Sequence, residues 1–222
     1  MVNSNSRPAE VIWNYDRVEL IADGIVHAIG VSLGLAGAIA IVAVAANSQH
    51  NTELSSIVVY SVGLLSMLGF SAAYNTWPVS PAKRVLRRFD HSAIYLMIAG
   101  TYTPFVGQLK DGVASAGLLL GVWLTAILGV ALKLLMPGRF DRTAIALYLI
   151  LGWSCVVAYG PISAALPNAS LWLLVAGGVL YSIGVIFHAW RKLRFHNAIW
   201  HGFVLAAACC HYSAVLACGL FG

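Results

Sequence analysis

The sequence predicts an all-α polytopic membrane protein of seven transmembrane helices, with a cytoplasmic amino terminus and an extracytoplasmic carboxyl terminus. Three observations predict it: a composition too apolar for a water-facing surface, apolar runs of spanning length, and a one-sided distribution of basic residues. Of the 222 residues, 60% are hydrophobic and only 9% are charged, with a mean hydropathy of +0.83. A soluble domain carries about a quarter charged residues, so too little polar surface is present to cover a globule in water. A spanning helix needs roughly 20 residues and a membrane strand roughly 10 with strict alternation. The apolar runs here are continuous, which selects helices and excludes a barrel. Spans consume most of the chain, which also excludes an extramembrane domain.

Hydropathy and helix breakers place the spans at Leu20 to Ala46, Leu54 to Asn75, His91 to Gly107, Gly112 to Leu135, Ala144 to Leu166, Ser170 to Trp190 and Ala198 to Leu220. Residues 1–19 form a cytoplasmic segment, and residues 20–220 form one seven-helix domain. Met1 to Asp16 is polar and lacks a cleavable apolar core, so no signal peptide is expected. The third span is the shortest and ends in Gly100-Thr101-Tyr102-Thr103-Pro104, where a kink or break is expected. Gly30 with Gly34 and Gly117 with Gly121 match the small-xxx-small pattern of helix packing. The sequence shows no tandem repeat and no low-complexity tract.

The net charge of +5 and pI of 9.2 are a topology signal before they are a nucleic-acid signal. Arg7, Arg17, Lys83, Arg84, Arg87, Arg88, Lys133, Arg139, Arg142, Arg191, Lys192 and Arg194 fall on the side of the amino terminus, which is 12 of the 13 basic residues. The other side holds only Lys110. The positive-inside bias makes the basic side cytoplasmic. Within the loop at residues 76–90, Ser80 and Pro81 fit an N-cap and first helical position. Ala82, Val85, Leu86 and Phe89 share one face, with Lys83, Arg84, Arg87 and Arg88 around them. This pattern reads as a short interfacial helix on anionic lipid headgroups, or as topology charge alone.

Ionisable groups inside spans are costly and point to function, which singles out Asp23, His27, Asp90, His91, His188, His201 and His211. Three pairs four residues apart share helical faces: Asp23 with His27, Ser71 with Asn75, and Asn197 with His201. All belong to the cytoplasmic ends of their spans, so inward-facing pairs would build one polar pocket with Asp90 and His91 beside it. His211 lies about 15 Å further along its helix, as a separate interhelical hydrogen-bond site. Each intramembrane histidine could equally be interhelical glue. His50 and His196 read as solvated loop residues. Cys155, Cys209, Cys210 and Cys218 lack zinc-type spacing and read as small core residues.

At these residues the sequence resembles the haemolysin III branch of the progestin and adiponectin receptor superfamily. The resemblance covers nearly the whole chain and is most specific at Glu19 to Gly30 (ELIADGIVHAIG), Phe89 to Phe105 (FDHSAIYLMIAGTYTPF) and Asn197 to Tyr212 (NAIWHGFVLAAACCHY). It implies seven spans, a zinc ion near the cytoplasmic face held by three histidines with an Asp and a Ser nearby, and, in the receptor branch, hydrolase-like activity on lipid amides. Ser71, Asp90 and His201 match that pattern. Asn75 and Asn197 stand where two of the three zinc histidines would be.

An amide oxygen is a poor substitute for imidazole on zinc, so a site transferred unchanged would be degenerate. A rearranged site could instead draw on Asp23, His27, Asp90 and His201, all competent ligands. With zinc bound, Asp90 would orient or deprotonate water and Ser71 would help hold the carbonyl; without it, the product is a polar pocket lined by Asn75, Asn197 and His91. The cofactor expectation is therefore none or zinc. The functional expectation is a haemolysin III-type protein of the bacterial inner membrane acting in membrane-lipid homeostasis with a degenerate metal pocket. Alternatives are a zinc-dependent hydrolase of lipid amides and a cytolytic pore, the last weakened by the missing polar stripe through several spans. Partners are membrane lipids, not nucleic acid.

Overall fold

A computed structural model describes residues 15–47, 54–109, 112–138 and 141–221, and among them the structure is helical without strands. The helices are α1 (Arg17–Asn47), α2 (Leu54–Thr76), α3 (Pro81–Val106), α4 (Gly112–Leu135), α5 (Asp141–Gly152), α6 (Tyr159–Ala165), α7 (Asn168–Ala189) and α8 (His196–Phe221), with a short 3-10 helix over Ser154–Ala158. Residues 1–14 of the amino-terminal segment, with Arg7, lie outside the described residues, as do His50, Lys110 and Arg139. Helices α8, α1, α2, α3 and α4 pack side by side in that order; α5 packs on α3 and α4 and reaches α7, which pairs with α8. The arrangement is a ring closed around a central cavity.

Local chemistry explains where the helices begin. Asp16 Oδ1 accepts hydrogen bonds from the N–H groups of Val18 and Glu19 at 2.8 Å, and Glu19 Oε2 accepts from Asp16 N–H at 2.9 Å. This reciprocal capping box satisfies the orphan donors of the first turn of α1. Ser80 caps α3 by accepting from Lys83 N–H, with Pro81 at the first helical position, as expected.

Among the described residues, six stretches are long and apolar enough to cross a membrane: Arg17–Asn47, Leu54–Thr76, Ser115–Leu135, Thr143–Ala165, Asn168–Ala189 and His196–Cys218. Helix α3 packs among them, but Lys83, Arg84, Arg87, Arg88 and Asp90 crowd its first half. The expected interfacial helix and third span are thus one continuous helix of 26 residues, about 39 Å long. Helix α3 does not break at Pro104, which sits in the last turn with only two helical residues after it.

The break falls in the fifth span instead. The stretch Thr143–Ala165 is divided by the 3-10 turn, and Tyr102 from α3 inserts its hydroxyl there. That oxygen lies 3.1 Å from the carbonyls of Leu151 and Gly152 and 3.0 Å from Ser154 Oγ, and accepts from Cys155 N–H at 2.8 Å. Backbone groups freed inside a membrane need such partners. Tyr102 therefore makes the discontinuity tolerable.

Close backbone approach joins α2 to α3. A side-chain carbon at Gly63 would come 3.0 Å from the Leu96 carbonyl oxygen, and one at Gly100 would come 3.2 Å from that of Val59. Of the two small-residue pairs expected to mediate packing, Gly30 and Gly34 do face Leu68 of α2, whereas Gly117 and Gly121 face outward with nothing within 4 Å.

Ion pairs and hydrogen bonds gather the basic helix ends on one rim. Lys83 Nζ donates to the carbonyls of Asn75 and Trp77 at 3.2 and 2.8 Å, closing the end of α2. Asp141 accepts from Arg87 at 2.6 Å and from Lys133 at 2.7 Å, tying α3, α4 and α5. Arg194 pairs with Asp16 at 3.1 Å, and Phe195 N–H donates to Glu19 Oε1 at 2.9 Å, tying α8 to α1. Lys83 and Arg87 are therefore engaged within the protein, and of the four basic residues 83, 84, 87 and 88 only Arg84 is exposed.

Candidate metal centre

Helix α1 places Asp23 and His27 one turn apart on its inner face, and α8 brings His201 to meet them. All three are buried, and each offers a ligand atom within 4.8 Å of the others. His201 Nδ1 lies 2.6 Å from Asp23 Oδ1, and His27 Nε2 lies 3.6 Å from Asp23 Oδ2. The two imidazole rings are tilted, with centroids 4.3 Å apart. His27 Nε2 is buried and has no hydrogen-bond partner among the described residues.

Asn197 completes the surroundings of the carboxylate. Its Nδ2 donates to Asp23 Oδ2 at 3.0 Å and to Asn75 Oδ1 at 3.1 Å, while Asn75 Nδ2 donates to the Ser71 carbonyl at 2.9 Å. The two asparagines are therefore not spectators at vacated ligand positions. They form a chain of amides that ends on Asp23.

The donor set fits a divalent transition metal. Two imidazoles and one carboxylate are a three-ligand set of the kind that leaves a coordination position open. Bonds of about 2.0–2.2 Å at tetrahedral angles put donor atoms about 3.4 Å apart. The His27 to Asp23 separation of 3.6 Å already matches. The His201 to Asp23 contact of 2.6 Å is the distance of a hydrogen bond, in which a proton occupies the place between the two atoms. His27 Nε2, buried and without a partner among the described residues, is the third donor of the set.

Asp90 is outside this cluster. It takes a hydrogen bond from Ser71 and lies 4.0 Å from His91 Nε2. The structure thus separates the residues singled out by sequence into a buried cluster of Asp23, His27 and His201, an amide chain of Asn75 and Asn197, and a Ser71–Asp90 pair. His91 anchors α5 through its carbonyl, which accepts from the Tyr148 hydroxyl at 2.9 Å. His188 packs against Trp200 with centroids 5.2 Å apart, and its Nδ1 is buried without a partner among the described residues. His196 is not a solvated loop residue: it begins α8 and is buried beside Tyr15, with centroids 5.7 Å apart. The four cysteines are free; Cys218 is core, whereas Cys209 faces outward.

All three groups line one cavity of about 710 Å³, which runs from the basic rim past His211 to Ile162 and Leu166. Its wall is mainly apolar away from the rim. Lys133, Asp141 and Tyr148 also belong to the wall, although in the sequence Lys133 reads only as topology charge and the other two carry no site signal. Burial pushes the Asp141 carboxyl up, but the Lys133 ammonium and the Arg87 guanidinium outweigh it and hold it at about 2. Burial lowers the Lys83 ammonium, partly offset by the Asp23 charge. At the outer edge, the Glu19 N–H holds the Asp16 carboxyl below the usual range, with Arg194 adding to it.

Fold and site define a polytopic helical membrane protein with a buried Asp/His cluster at one end of an apolar cavity. Residues 19–212 match the family model described as haemolysin-III related, and the chain belongs to that family. It is 39% identical to the hemolysin-3 homolog of Bacillus subtilis over 199 residues, covering 89% of this chain and 93% of that protein. It is 36% identical to hemolysin-3 of Bacillus cereus over 198 residues, 89% of this chain and 90% of that protein. It is also 28% identical to the human monocyte to macrophage differentiation factor over 163 residues, 71% of this chain and 67% of that protein. That human relative belongs to the progestin and adiponectin receptor superfamily. No solved structure matches.

Proposed function

We propose that this chain is a metal-dependent membrane hydrolase that cleaves an amide-linked acyl chain, with Asp23, His27 and His201 as the metal ligands, and that it acts in membrane-lipid homeostasis. The observation that carries this reading is the convergence of those three buried side chains, one with an unpartnered ring nitrogen, on a cavity shared with Ser71 and Asp90. The basic rim is the cytoplasmic side by the positive-inside bias, and the bacterial relatives favour the inner membrane. The six apolar stretches, with α3 packed among them, support a count of seven spans.

A zinc ion held there would supply Lewis-acid polarisation of the scissile carbonyl and a lowered pKa for water. The protein's own residues do the rest. Asp90 is the proton acceptor and later returns the proton to the leaving amine. Ser71 donates to Asp90 and fixes the orientation of that carboxylate. Asn197, braced by Asn75, holds the second oxygen of Asp23. The apolar cavity takes the acyl chain and excludes water from its depth.

Elemental analysis of detergent-purified protein tests the reading. Near one zinc per chain, lost in Asp23→Asn, together with release of fatty acid from a lipid amide that Asp90→Ala abolishes, is the expected result. Absence of both metal and amidase activity replaces it with the non-enzymatic reading, a degenerate pocket that binds lipid. The names of the Bacillus relatives favour a pore as the remaining reading, tested by conductance in planar bilayers.

A further inference from the structure

Deep in the cavity, about 15 Å below His201 along α8, the wall changes chemistry once more. His211 and Tyr181 both line it there, edge to face, with ring centroids 5.5 Å apart. The Tyr181 hydroxyl is buried and has no partner among the described residues. His211 Nε2 lies 3.3 Å from the Leu174 carbonyl. A carbonyl only accepts, so Nε2 carries the proton and Nδ1 is left as an acceptor. A side chain at Gly177 would overlap the His211 ring, so the backbone of α7 is shaped to admit it. Tyr60, fully enclosed on α2, carries a second buried hydroxyl without a partner among the described residues.

An unmet hydroxyl in an apolar interior is costly, and helix packing alone does not require one here. Tyr181 supplies a donor and His211 an acceptor, which together match the donor and acceptor of an alcohol. We propose that Tyr181 and His211 form a polar station that selects acyl chains bearing a hydroxyl near mid-chain, roughly twelve carbons from the level of His201 by the 15 Å rise along α8. The inference rests on the reading that the cavity holds an acyl chain. Metal and hydrolysis are not needed for it.

Binding to the purified full chain separates the two. Stearate, 12-hydroxystearate and 2-hydroxystearate are each used to displace a fluorescent fatty acid from wild type, Tyr181→Phe and His211→Gln. The 12-hydroxy chain is expected to bind about tenfold tighter than stearate, the worth of one well-made buried hydrogen bond, and the 2-hydroxy chain to bind as stearate does. Tyr181→Phe, which keeps the ring, should remove the preference while stearate affinity stays, which also shows that the variant is folded. Equal affinity of all three chains for wild type, or a preference that survives in both variants, overturns the station and leaves the hydroxyls to bound water. Failure of all three chains to displace the probe from wild type overturns the acyl-chain reading itself and the station with it. Binding of the 12-hydroxy chain alone upholds both.

Discussion

Asn197→Ala tests whether the asparagines are working parts of the site or relics of lost ligands. The substitution removes two hydrogen bonds, to Asp23 Oδ2 at 3.0 Å and to Asn75 Oδ1 at 3.1 Å. The first has a charged acceptor and is worth about 1.5–3 kcal/mol in a water-soluble setting, the second about 0.5–1.5 kcal/mol. Interhelical hydrogen bonds in bilayers average nearer 0.6 kcal/mol each, about 1.2 kcal/mol for the pair, so a total loss between the two bounds, about 2 kcal/mol, is expected. For a chain of this length that lowers the melting temperature by about 4–8 °C. Asp23 keeps its contact with His201 but becomes free to rotate, and loss of such an orienting partner weakens a metal by about 10–100-fold. The assay is paired: thermal unfolding in detergent, and zinc affinity by competition with a chelating dye. Wild-type zinc affinity and an unchanged melting temperature would refute the reasoning, because they would mean that the amide chain does not hold Asp23. A lower melting temperature with unaltered zinc affinity would keep the structural role and refute the positioning role.

Two further outcomes follow from the rim and the broken span. The folded-state pKa of Asp141 lies at about 2, below its usual 3.8, so its contribution is complete above pH 4 and lost as pH falls from 4 toward 2. Asp141→Asn, which strands the buried Lys133 ammonium, is expected to cost about 1–2 kcal/mol at pH 7 once partial exposure is discounted, and to flatten the melting temperature across that acid window relative to wild type. Tyr102→Phe leaves the Cys155 N–H and the carbonyls of Leu151 and Gly152 without the shared hydroxyl, a loss of about 1–2 kcal/mol. Hydrogen exchange should rise at residues 151–156 and not in α2; uniform protection would show that the 3-10 turn does not depend on Tyr102.

Composition and basic-residue asymmetry were enough to read an all-helical membrane bundle, because both report the solvent rather than any particular contact. Interruptions were harder. Pro104 looked like the breaker, yet it falls where α3 is ending anyway, while the real discontinuity in the fifth span depends on a tyrosine 50 residues away whose hydroxyl meets Gly152. No local pattern announces that. At the site, helical spacing correctly paired Asp23 with His27 and Asn197 with His201 on shared faces. Spacing could not say which pairs would meet across helices, so Asp90 joined the ligand candidates although its own partner is Ser71. Asp141 escaped notice because a carboxylate at a helix start reads as a cap until Lys133 and Arg87 are brought to it.

The rim ties and the buried cluster form one mechanical unit. Glu19 completes the capping box of α1 and accepts from Phe195, and it lies one turn before Asp23 on the same helix. Phe195 adopts a left-handed backbone with φ of 61°, a conformation costly for a residue other than glycine. The Glu19 hydrogen bond holds it there, two residues before Asn197. Lys83 grips the Asn75 carbonyl while the Asn75 side chain receives Asn197. Each of the helices α1, α2 and α8 is therefore pinned within about a turn of the side chain it contributes. A cluster of two imidazoles and a carboxylate in an apolar cavity needs such support, since a displacement of about 1 Å would leave a buried charge unmatched. These ties are made at the same end of the cavity as the cluster, and the wall away from that rim is mainly apolar.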